Sequence, residues 1–180
     1  MKRLPKILAF VGLLPAVGTI YLAQVSKPTL DQGLLDQAVS FFNGGSRCAA
    51  EIRLSPFAGN TAMGPAVVCY TFSLELYLKL LHVLARGKSI KGHELNKLYK
   101  ALPNQTKAAL LAECSDIDLV QELTSAADAF RQWRYRHEHE RLAINPSMLA
   151  EIVSRCHRLV HKLKPGLEVF GDNTHVQQCP

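Results

Sequence analysis

Apolar residues recur at helical spacing along most of the chain, and between residues 63 and 86 they cover nearly the whole helical circumference. The polar positions there, Glu75, Lys79, His82 and Arg86, fall at i, i+4, i+7 and i+11 and form one narrow stripe. That pattern predicts a central helix buried on most sides, with Pro65 in its first turn and Gly87 as its stop. The Glu75–Lys79 spacing is either a simple ion pair or the polar floor of a groove.

Around this segment the same periodicity predicts further helices. Thr29 or Asp31 caps one that runs to Phe42 and is stopped by Asn43-Gly44-Gly45, with a short helical piece from Cys48 to Leu54 after it. A short helix over 94–101 ends at Pro103, and Asn104 caps another over 105–114. Residues 115–141 read as one long helix started by Ser115 or Asp116, because Leu119, Leu123, Ala126, Phe130 and Trp133 recur at steps of four and three. Asn145-Pro146-Ser147 breaks the chain, and the final helix, 148–163, keeps Leu149, Ile152, Val153, Cys156, Leu159, Val160 and Leu163 on one face. No alternating strand pattern longer than four residues occurs, so the expected class is all-α.

The 180 residues are 48% hydrophobic, enough for one core, which is expected over residues 29–165 with a polar tail over 166–180. The net charge of +6 is uneven: from Arg131 to Lys164 eight Lys or Arg face three Glu, a net +5 over 34 residues. A basic surface of that kind attracts polyanions, whether RNA, nucleotides or an anionic membrane, or it is simply a solvated helical face. Five scattered cysteines with no C-x-x-C pair argue against a disulfide framework and a zinc site, which fits a reducing compartment. Residues 1–28 point elsewhere: a basic start and an uncharged run from Ile7 to Ala23 have the pattern of a signal peptide or a hydrophobic anchor helix, with Pro15 interrupting it. The chain is therefore expected in the cytoplasm or at a membrane reached through residues 7–23.

Three segments carry a resemblance: FSLELYLKLL at 72–81, KGHELNKLYKALP at 91–103 and FRQWRYRHEHE at 130–140. In order and spacing they resemble HEPN (higher eukaryote and prokaryote nucleotide-binding) domains, in the bacterial version with an F-x-x-E-L-x-L-K core helix, a GH-x-L-x-x-L-Y segment and a W-R-Y element. The resemblance covers roughly Thr29 to Leu163. It implies a bundle of four or five helices that forms a homodimer or pairs with a neighbouring-gene product, and that binds RNA or a nucleotide. Many such domains are metal-independent endoribonucleases of toxin–antitoxin and defence systems, with an R-x4-6-H motif completed across the dimer and no cofactor.

Arg134 and His139 satisfy that motif and are the implied catalytic pair, while Arg131 and His137 satisfy it in the alternative register. An imidazole near neutral pKa can move the 2′-OH proton, and an arginine stabilises the charged phosphorane. Residues five apart on an unbroken helix point about 140° from each other, so contact needs a helix break or a partner subunit. Arg131, Trp133, Tyr135, Glu75, Lys79 and His93 are the expected binding residues. A non-catalytic helical dimerisation or interaction module is the competing expectation. His157 and His161, four apart, have the spacing of a metal pair but lack a third ligand, so no metal site is expected. P-loop and G-x-S-x-G signatures are absent.

Overall fold

A computed structural model describes residues 29–54, 59–127 and 144–169, with side chains omitted over 51–61. The described residues are all-α, with six helices and no strand. These are α1 (Leu30–Leu54), α2 (Gly59–Arg86), α3 (Leu95–Ala101), α4 (Asn104–Glu113), α5 (Leu119–Ser125) and α6 (Pro146–Leu163). The count exceeds the four or five that the resemblance implies, because the stretch between α2 and residue 127 is cut into three short helices. The expected leader over 1–28 and residues 170–180 of the expected tail lie outside the described residues.

α2 is the hub, as its circumferential apolar pattern predicts. Leu74, Tyr77, Leu78, Leu80 and Leu81 are all at most 1% exposed, and α1, α3 and α6 each pack against it. Residues 62–86 are long and apolar enough to cross a membrane, but 67% of the most apolar window is buried inside the fold, as suits a core helix. The helix begins at Gly59, so Pro65 lies beyond its first turn, contrary to expectation. The proline faces solvent, and the missing N–H interrupts the ladder without ending the helix.

α1 does not stop at Asn43-Gly44-Gly45; it continues through both glycines to Leu54. The glycines serve close packing here: a Cβ on Gly45 would lie 2.8 Å from the Tyr70 ring, and one on Gly44 would touch Cys69 Sγ at 3.5 Å. Their absent side chains let α1 and α2 approach closely, and burial against α2 outweighs the roughly 1 kcal/mol helical penalty of each glycine. Along the same antiparallel seam, Phe41 stacks on Phe72 at 5.1 Å and Ser73 Oγ donates to the Ala38 carbonyl at 2.7 Å.

The expected single helix over 115–141 is not formed as such. Residues 114–118 turn, Asp118 caps α5 by accepting from the Gln121 N–H at 3.1 Å, and α5 ends at Ser125 with a turn over 126–127. Asp118 displaces Ser115 and Asp116 as the start because the Asp116 carboxylate is taken by Arg155. Leu119, Leu123 and Ala126 do face the core as their spacing predicts.

α6 is capped by Asn145, whose side chain accepts from the N–H groups of Ser147 and Met148, with Pro146 in the first turn. Six of its seven expected core residues are buried. Leu163 is 49% exposed because its end of the apolar face borders an open groove of about 730 Å³, shared with Leu30, Val83 and Leu84. The expected polar tail begins with a core residue: Leu167 is buried, and Gln32 Nε2 on α1 donates to the Glu168 carbonyl at 2.5 Å.

Gly45→Ala is expected to destabilise the protein by about 1–3 kcal/mol through overpacking on Tyr70. Gly33→Ala, where a Cβ meets nothing within 4 Å, is expected to be neutral or stabilising by up to about 1 kcal/mol. Denaturant midpoints of the two variants check the contrast.

Candidate functional site

The polar stripe of α2 is neither a bare ion-pair ridge nor the floor of an open groove: the α2–α3 connection covers it. Glu75 Oε1 accepts from Lys79 Nζ at 2.7 Å and from His93 Nδ1 at 3.0 Å, with the Glu75 side chain only 9% exposed and Lys79 14%. One turn further on, buried His82 donates from Nδ1 to the Lys88 carbonyl at 2.8 Å. Arg86, at the end of the stripe, is exposed. Gly92, at φ +112°, gives the connection the left-handed backbone that brings His93 over Glu75. Leu95, Leu98 and Tyr99 then bury, so the GH-x-L-x-x-L-Y segment grips α2 through one polar and three core contacts.

A second polar group leaves α2 toward α6. The hydroxyl of Tyr77, a residue 1% exposed, lies 2.8 Å from His157 Nδ1, and His157 Nε2 lies 3.1 Å from His161 Nε2. Hydroxyl and two imidazoles make one hydrogen-bonded chain that leads outward from the core, since each nitrogen can donate or accept according to tautomer. Burial pushes the Tyr77 phenol well above its ordinary range. Burial first, and the neighbouring His161 second, hold His157 below the usual histidine value. Beside this chain lies a cavity of about 360 Å³ between α1, α2 and α6.

The basic residues of α6 and of its C-terminal cap, Lys164, have unequal partners. Arg155 donates to the Glu113 carbonyl at 2.8 Å, Asp116 Oδ2 at 2.9 Å and Glu151 Oε1 at 2.8 Å, which ties α6 to the α4–α5 turn. Asp116, hydrogen-bonded to this guanidinium, is held below the ordinary carboxylate range. Lys162 pairs with Glu113 at 2.5 Å, and Lys164 with Asp31, whose carboxyl is thereby lowered to about 2. Arg158 is left with the same two glutamates at 3.9 and 3.8 Å. Most of the described positive charge on this helix is thus spent on holding it in place.

Of the expected site residues, Glu75, Lys79 and His93 are brought into direct contact. Arg134, His139, Arg131, Trp133, Tyr135 and His137 lie outside the described residues. His157 and His161, which have the spacing of a metal pair, form a chain with Tyr77, and no cluster of three metal-ligating side chains occurs among the described residues. Tyr77 was not singled out by sequence, because a tyrosine inside an apolar run reads as core; its i-spacing to Glu75 and Lys79 gave no hint of a separate partner. Cys48, Cys69, Cys114 and Cys156 are free thiols. Comparison with protein-family models, curated proteins and solved structures gave no match.

Because His157 is neutral in the fold where the unfolded chain already takes up a proton, its contribution to stability is full above the unfolded value of 6.5 and shrinks as pH falls through it. Thermal midpoints measured from about pH 8 to about pH 5 are expected to fall, and to fall less in His157→Leu.

Proposed function

We propose that the chain is a HEPN-like helical domain that binds RNA or a nucleotide and, in its active form, cleaves RNA without a metal. The supporting observation is the contact between Glu75 and His93, which joins the F-x-x-E-L-x-L-K and GH-x-L-x-x-L-Y segments at their polar positions. Two of the three segments that carry the resemblance thus act as one packed unit.

In this proposal the chemistry belongs to Arg134 and His139, with Arg131, Trp133 and Tyr135 as contacts to the polyanion. His139 takes the 2′-OH proton or protonates the leaving oxygen, and Arg134 stabilises the phosphorane. A homodimer or a neighbouring-gene partner would complete the pair, and residues 7–23 would hold the domain at a membrane.

One observation favours a second reading, a non-catalytic dimerisation or interaction module. Glu75, Lys79 and His93 bond one another, so they serve the fold before any ligand. RNA cleavage in the presence of EDTA separates the two. The proposal expects cleavage by the parent and a loss of about 100-fold or more in Arg134→Ala and in His139→Ala. A parent as inert as both variants leaves the interaction module.

A further inference from the structure

We propose that the cavity between α1, α2 and α6 is a binding site for a small monocarboxylate with an apolar or aromatic body, its carboxylate paired with Arg158. The cavity, about 360 Å³, falls within the size of small-molecule sites. Val39, Phe42, Val153 and Val169 form its apolar walls, and Asn43, Tyr77 and Arg158 supply its polar groups. Apolar walls with a few converging polar groups are the usual composition of a site that orients a small ligand.

The sign of the ligand follows from the ion pairs of α6. Glu113 and Glu151 lie 3.9 and 3.8 Å from Arg158, but Lys162 holds Glu113 at 2.5 Å and Arg155 holds Glu151 at 2.8 Å. The Arg158 side chain, 51% exposed, lines the cavity, and its guanidinium keeps hydrogen-bonding capacity beyond these two long contacts. Its planar fork matches a carboxylate. His157 also lines the cavity, but Tyr77 and His161 occupy both its ring nitrogens. Arg158, the single lining cation among the described residues, selects a monoanion, and the Val and Phe walls reject a ligand that is charged throughout. Tyr77 and Asn43 sit where a polar substituent on the body would find a partner.

The proposal does not depend on RNA binding and is tested apart from it. Calorimetric or NMR titration of the full chain with 3-phenylpropionate should show saturable binding, with the uncharged 3-phenylpropionamide at least tenfold weaker. Arg158→Gln should lower affinity for the carboxylate at least tenfold while leaving the circular dichroism spectrum unchanged. Val153→Phe, which fills the cavity, should abolish binding, with the same spectrum as control. Absence of saturable carboxylate binding overturns the proposal. So does equal affinity for the amide, or undiminished binding in either variant while it remains folded.

Discussion

α2 is buried on nearly every side and yet carries polar side chains, and each of these must find a partner inside the fold. An unpaired buried polar group costs about 1–3 kcal/mol, more if charged, so such groups constrain whatever packs over them. Ser73 reaches a backbone carbonyl of α1, Glu75 and His82 reach the α2–α3 connection, and Tyr77 reaches α6. Apolar burial provides the driving force, but it is non-directional. These four contacts set where the neighbouring elements sit on the hub.

This division explains which parts of the structure could be read from the chain. The identity of α2 as the core helix, the buried face of α6 and the stop at Gly87 follow from periodicity and local backbone chemistry, and they appear as expected. The errors fall where tertiary contacts override local preference. Gly44 and Gly45 look like a helix stop and are instead a point of close packing between α1 and α2. Asp116 looks like a cap and is instead taken by Arg155. Leu163 continues an apolar face to a point where the described residues leave it half exposed.

The candidate site residues divide along the same line. Glu75 and Lys79 were legible as a pair from their spacing, and His93 from its place after Gly92, but their mutual contact depends on the path of a connection that spacing does not encode. The Tyr77–His157–His161 chain joins residues 80 positions apart in sequence and had no local signature. The arginine–histidine pair on which the nuclease proposal rests was read from the sequence motif alone. The basic character of the C-terminal region reads from sequence as a polyanion surface or as a solvated helical face. Along α6, ion pairs with Asp31, Glu113, Asp116 and Glu151 consume much of it, and Arg158 has the longest pairs of the α6 cations in these networks.

Individual polar groups on α2 thus each fix one neighbouring element. Native-state hydrogen exchange on Glu75→Gln and on Tyr77→Phe, each beside the parent, tests it most directly. Glu75→Gln is expected to accelerate exchange about tenfold in residues 88–101 while α1 and α6 keep parental protection, and Tyr77→Phe to do so in α6 while 88–101 are unchanged. Uniform acceleration across all helices in both variants, or no change in either, would contradict it.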